Sequence, residues 1–210
     1  MKRRREIIVP DAVASSGELV LHACCAPCST AIVEWLLQHE IRPVIFYYNP
    51  NIYPLEEYEK RKEESKRHAT QNGLQWYDAD WQHEEWLAAV QGHEHEPERG
   101  MRCSLCFAMR LRAAALFAQE RGIKTFGTTL ASSRWKNIEQ VNRAGALAAA
   151  GTDVQFWAQN WRCNGLQERR NTLIREGDYY NQRYCGCEFS IIGTDRSRPS
   201  SAAPTRCGND

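Results

Sequence analysis

The 210-residue chain has no apolar run approaching the ~20 residues that a membrane span needs. Its basic start, Met1 to Arg5, is followed only by Ile7-Ile8-Val9 before Pro10, too short for the apolar region of a signal peptide. The expectation is therefore a cytoplasmic protein that makes no use of a membrane. Net charge is also missing: 27 Lys and Arg against 26 Asp and Glu leave +1. Bulk charge thus gives no argument for nucleic-acid binding, and any basic surface has to come from local clustering. There is no GxGxxG and no P-loop signature, so an ordinary dinucleotide or nucleotide-triphosphate reading lacks its fingerprint. No internal repeat is visible.

What the chain does have is nine cysteines, at 24, 25, 28, 103, 106, 163, 185, 187 and 207. In a reducing compartment, clustered thiols point to metal binding or catalysis more than to structural disulfides. The odd count also argues against a fully paired disulfide framework.

The stretch Leu19 to Thr30 is the centre of the pattern. Leu19 to Ala23 reads as a short buried strand, and Pro27 suits the first turn of a helix. Three thiols then sit at the carboxyl end of a strand and the start of a helix, where the helix dipole favours thiolate. Further strands are expected near 43–48, 74–77, 123–127 and 154–158. Helices are expected near 26–39, 55–71, 103–121, 135–150 and 166–176, with short ones around Trp86 and over 179–183. Five alternations predict an α/β fold: one doubly wound, mostly parallel five-stranded sheet, Rossmann-like or HUP-like. Helices should cover both faces, with a metal site at the carboxyl ends of the strands. Residues 1–18 read as a flexible extension, 19–193 as the catalytic domain and 194–210 as a disordered tail.

Three cysteine groups fall at strand ends or helix starts: Cys24/Cys25/Cys28, Cys103/Cys106 and Cys185/Cys187. Soft thiolates at C-x-x-C spacing suit zinc or iron–sulfur clusters. Seven thiols are more than one tetrahedral zinc uses. Cys185 and Cys187 form a separate C-x-C, which reads as a dithiol/disulfide couple closing a small, strained ring. Cys163 and Cys207 read as incidental.

The chain resembles the QueH-type epoxyqueuosine reductases of tRNA modification. The resemblance spans about 19–190. It rests on HACCAPCST (22–30), FYYNPNIYPLEEYEKR (46–61), RCSLCFAMRL (102–111), TTL-x-SS-x-x-KN (128–137) and YCGCEFS (184–190). It implies reduction of epoxyqueuosine to queuosine at the tRNA wobble position. It implies an iron–sulfur cluster of the 4Fe–4S type held by Cys24, Cys25, Cys103 and Cys106, and a redox-active Cys185–Cys187 pair. Cys28 is left to complete the cluster or to hold an additional mononuclear iron. An unidentified cellular electron donor must reset the pair.

Other positions near the expected ligand edge are candidates for substrate contact: Asn49, Asn51, Tyr53, Arg102, Arg134, Lys136 and Asn137. Trp157, Trp161 and Tyr179 are candidates to stack on an extruded base. Lys60, Arg61, Lys62, Lys66 and Arg67 can track an RNA backbone, or form a solvated helix face with the interleaved glutamates. His22 reads as a hydrogen-bonded core histidine, His93 and His95 as surface residues. Two rivals stay open. One is a sulfonucleotide-type iron–sulfur reductase, although no glycine-rich phosphate loop follows the first strand. The other is a zinc-stabilised RNA-binding module without catalysis, against which the separate C-x-C argues.

Overall fold

The computed structural model describes residues 6–133, 135–182 and 184–192. The chain begins with α1 (Asp11–Ser16) and β1 (Glu18–His22), then α2 (Ala26–Gln38), β2 (Arg42–Tyr47), α3 (Leu55–Gln71) and β3 (Trp76–Asp78). α4 (His83–Ala89), α5 (Met101–Glu120) and β4 (Thr125–Thr128) follow, the last running into a 3-10 turn at Thr129–Ser132. α6 (Ile138–Ala149), β5 (Gln155–Phe156), α7 (Leu166–Glu176) and α8 (Glu188–Ile192) complete it.

The five strands form one sheet in the order β3-β2-β1-β4-β5, and every neighbouring pair is parallel. β1 lies in the centre, and Leu19, Val20 and Leu21 are fully buried. A parallel strand covered on both faces has no polar side, which is why this run is continuously apolar rather than alternating. The chain moves outward from β1 through β2 to β3, then returns to the other side of β1 at β4. Right-handed crossovers in opposite directions place helices on opposite faces. Accordingly α2 packs with α3 and α7, while α5 packs with α6. The reversal point lies between β1 and β4, where such sheets open a crevice at the carboxyl ends of their strands. β5 is short, and α6 approaches it closely. A side chain at Gly145 would meet the Phe156 ring at 2.3 Å.

The expected α/β architecture is observed, with local differences. The stretch expected as a loose extension carries α1, which buries Val13 and is tied to the sheet by the Arg42 N–H donating to Gly17 O (2.8 Å). The short helix expected over 179–183 does not form at the described residues 179–182. Side chains of α3 hold residues 177–180 in an irregular path: Arg67 donates to Gly177 O (3.5 Å), and the Tyr180 N–H and hydroxyl donate to Glu64 (3.2 Å) and Glu57 (2.7 Å). Helix α8, absent from the sequence reading, starts directly after Cys187. The tail from 194, with Cys207, lies outside the described residues. Among the described residues no helix is long and apolar enough to cross a membrane.

Candidate metal and redox site

β1 ends at His22, and two residues later the chain enters the first cysteine group. Cys25 is the extended residue that precedes α2, with Pro27 in the first helical turn. The sulfurs of Cys24, Cys25 and Cys28 lie within 4.8 Å of one another, and all three residues are buried. The neighbouring strand end supports them. Thr129 Oγ1 accepts from the Cys24 N–H (3.0 Å) and donates to Cys24 Sγ (3.3 Å). Gln182 Nε2 donates to Cys25 Sγ (2.8 Å), and Arg170 Nε donates to Pro27 O (2.8 Å). Within the triad, hydrogen bonds from Cys25 and Cys28 hold the Cys24 thiol well below its usual range, against the cost of burial. Bonds with Cys24 and Cys28 raise Cys25, and the bond with Cys24 raises Cys28. One thiolate among two thiols is the arrangement expected when three buried sulfurs share little solvent.

His22 is the hydrogen-bonded core histidine that its place in an apolar strand suggests. Its Nδ1 pairs with Thr128 Oγ1 (2.8 Å) and its Nε2 with Tyr48 O (3.2 Å). Burial, helped by the Arg110 charge, pushes its pKa down to about 3, so the ring is neutral.

The other four free thiols surround one cleft, lined by Cys103 and Cys106 from the first turns of α5 and by Cys185 and Cys187 before α8. Burial raises Cys103 to about 11, and burial together with the Cys185 charge raises Cys187 strongly. Cys185 is exposed and Cys187 buried. Arg110 joins the cleft to the triad. Its Nη1 lies 3.9 Å from Cys106 Sγ and its Nη2 donates to Asn49 Oδ1, while Asn49 Nδ2 donates to Ala23 O (2.9 Å), next to Cys24. Lys136 also lines the cleft. Burial opposes its charge, but the nearby Cys24, Cys185 and Cys28 sulfurs outweigh this and raise its pKa.

The C-x-C is held from below by α3. Buried Arg61 donates Nη1 to Cys185 O and Nη2 to Tyr184 O (both 3.2 Å), and its Nε donates to Glu57 (2.7 Å). The Tyr53 N–H donates to Gly186 O (2.9 Å). Gly186 has φ +109°, and a Cβ there would come within 2.9 Å of Ile52 and 3.0 Å of Arg61. Glycine is therefore required between the two cysteines. His83 extends the support by pairing with Glu188 (3.1 Å) and Pro50 O (2.7 Å).

Of the candidate substrate contacts, Asn51, Arg102, Lys136 and Asn137 line the cleft. Asn51 Oδ1 is buried there without a hydrogen-bond partner. Arg102 is largely spent on the carbonyls of His93 (3.3 Å) and Glu94 (2.6 Å), and Asn137 caps α6 by accepting from Glu139 N and Gln140 N. Asn49 is locked in the link just described. Tyr53 is exposed and stacks on His83. Arg134 lies outside the described residues. Two readings change. Trp157 and Trp161 are buried against Trp35 and cannot reach a base, because the turn after β5 packs onto α2. Arg61 is buried under the C-x-C and does not belong to an RNA-facing stripe. Cys163 is disulfide-bonded and so is not a free thiol.

Arg110, Gln182, Thr129 and Trp135 are missed as site residues by the sequence reading, which places Arg61 only in the charged stripe. Arg110 left a signal: Cys103, Cys106 and Arg110 recur at helical spacing on one face of α5. The others reach the site from residues remote in sequence.

A family model described as epoxyqueuosine reductase QueH matches residues 19–192. A protein of Acinetobacter baylyi named epoxyqueuosine reductase QueH is 44% identical over 200 residues, covering 95% of this chain and 90% of that protein. Similar proteins of the same name occur in Haemophilus influenzae, 41% identical over 93% of this chain and 79% of the relative, and in Thermotoga maritima, 34% identical over 84% and 91%.

Proposed function

Because the chain belongs to the QueH family of epoxyqueuosine reductases, we propose that it converts epoxyqueuosine to queuosine at the wobble position of tRNA with an iron–sulfur cluster and the Cys185/Cys187 dithiol. The observation that carries this reading is the gathering of Cys103, Cys106, Cys185 and Cys187 around one cleft, linked through Arg110 and Asn49 to the strand end that bears the buried triad.

The donor set fits the group. Buried sulfurs at a helix start, with no competing carboxylate in the triad, favour a soft, thiolate-bound iron centre. Cys24, Cys25, Cys103 and Cys106 would hold the cluster, and Cys28 would offer a fifth sulfur for its completion or for a second iron. When bound, the group supplies one-electron transfer and an iron that polarises the epoxide oxygen.

The remaining chemistry falls to the chain. Removing the epoxide oxygen as water requires two electrons and two protons. Oxidation of the Cys185 and Cys187 thiols to a disulfide releases that number of each. Exposed Cys185 meets the substrate side of the cleft, and buried Cys187, whose high pKa keeps its proton, closes the disulfide behind it. Lys136 holds a proton at Nζ beside the cleft, where charge develops on the departing oxygen. An external donor then reduces the disulfide.

The deciding experiment measures iron and acid-labile sulfide in protein purified without oxygen, followed by an assay on epoxyqueuosine-tRNA. Iron with sulfide and formation of queuosine are expected. One zinc per chain without sulfide, persisting after anaerobic reconstitution, would refute the redox mechanism and leave a zinc-stabilised RNA-binding module.

A further inference from the structure

We propose that Arg110 is the counter-charge of the iron–sulfur centre and sets its reduction potential, an inference that rests on the cluster reading above. Among the described residues three arginines are buried: Arg61 (2% exposed), Arg102 (3%) and Arg110 (3%). Arg61 pairs with the Glu57 carboxylate, and Arg102 gives its Nη1 to the carbonyls of His93 and Glu94. Arg110 has a single oxygen acceptor among the described residues, the neutral Asn49 amide. Its Nη1 lies 3.9 Å from Cys106 Sγ, and its Nε is buried with no partner. No carboxylate of the described residues forms an ion pair with it. Glu98 shares the cleft but is exposed and is not paired with Arg110.

A buried cation without an anion is costly, and folded proteins pair such charges. The groups that surround Arg110 are sulfurs. It stands one turn after Cys106 on α5 and lines the cleft of Cys103, Cys106, Cys185 and Cys187. Through Asn49, which donates to Ala23 O (2.9 Å), it is also tied to the strand end that precedes Cys24. One guanidinium thus joins both sulfur groups assigned to the cluster, and Asn49 holds it in place. An iron–sulfur centre on four thiolates is an anion and gains a further negative charge on reduction. A fixed cation beside it therefore favours the reduced form over the oxidised one. Apolar walls such as Trp86 and Phe107 lower the local dielectric and strengthen the effect.

The test is an anaerobic redox titration of the full-length holoprotein, followed by absorbance and electron paramagnetic resonance. Arg110→Met and Arg110→Gln are expected to lower the ratio of reduced to oxidised centre at a given potential by at least about tenfold, a fall of about 59 mV for a one-electron couple. Arg110→Lys keeps the charge and should stay within about threefold of the wild type. Arg112→Met removes an exposed cation of the same helix, one that donates to Ala148 O and Ala150 O, and should leave the titration unchanged. A merely structural role would move all three Arg110 variants alike. If the neutral variants hold iron and sulfide at the wild-type potential, or if Arg110→Lys shifts as far as they do, the counter-charge is refuted while the cluster reading stands. If the neutral variants bind no cluster, Arg110→Lys decides: a loaded centre at the wild-type potential supports the counter-charge, and any other result refutes it. A wild type without iron and sulfide after anaerobic reconstitution would overturn both.

Discussion

Replacing Arg61 by methionine tests how the redox pair is seated. The guanidinium is 2% exposed and its partner Glu57 is 9% exposed. Three of its contacts are directional: Glu57, Tyr184 O and Cys185 O. Methionine fills much of the volume but leaves the Glu57 carboxylate buried with, among the described residues, only the Tyr180 hydroxyl as donor. Removing one partner of a buried pair costs about 3–5 kcal/mol. For a chain of this size, 1 kcal/mol is about 2–4 °C in Tm, so the expected fall is about 6–20 °C. Adding Glu57→Gln should recover part of that fall, since the stranded charge disappears with it. Two measurements on anaerobic holoprotein check this: thermal unfolding by circular dichroism, and the alkylation rate of Cys187. The latter should rise because Tyr184 O and Cys185 O lose their tie to α3, leaving the Tyr53–Gly186 bond and the His83–Glu188 pair to hold the segment. A variant that melts within about 2 °C of the wild type and protects Cys187 equally would refute the clamp.

Gly186→Ala should lower stability by about 1–3 kcal/mol through its positive φ and the Ile52 contact, and slow turnover without loss of metal; urea unfolding and metal analysis read the two effects. Cys185→Ser should keep its iron yet lose multiple turnover, scored by mass spectrometry of digested tRNA; repeated turnover would exclude the dithiol as the electron source. Burial, with Arg67 adding, pushes the His68 imidazole down to about 4. The unfolded chain takes up this proton below pH ~6.5 and the folded chain does not, so stability should fall between pH ~6.5 and ~4 by about 1.4 kcal/mol per pH unit for this group. His68→Gln should flatten the urea midpoint against pH by that amount.

The sequence carried the fold because its signals are local. The apolar run Leu19–Leu21 and the turn residues after it place β1 and α2 without knowledge of any partner. The same holds for α7, whose observed span of Leu166–Glu176 matches its periodicity. Residues 179–182 failed for the opposite reason. Their path is set by Glu57, Glu64 and Arg67 on α3, more than 100 positions away. Trp157 and Trp161 were misjudged because side-chain type does not say which face of the sheet a turn packs against. Arg61 looked like part of a charged stripe, since helical spacing alone cannot tell a buried salt bridge from a solvated one.

The sequence by itself determined the family, the alternation of strands and helices, and the three cysteine groups with their chemistry. These follow from residue type and short-range spacing, which survive without a folded chain. Only the tertiary structure decided how the groups are distributed: Cys24, Cys25 and Cys28 in one buried triad, and Cys103, Cys106, Cys185 and Cys187 around an open cleft. The reversal of sheet winding between β1 and β4 brings Thr129 to Cys24, and α3 carries Arg61 under Cys185. Such contacts join residues more than 100 positions apart, and no local pattern encodes them.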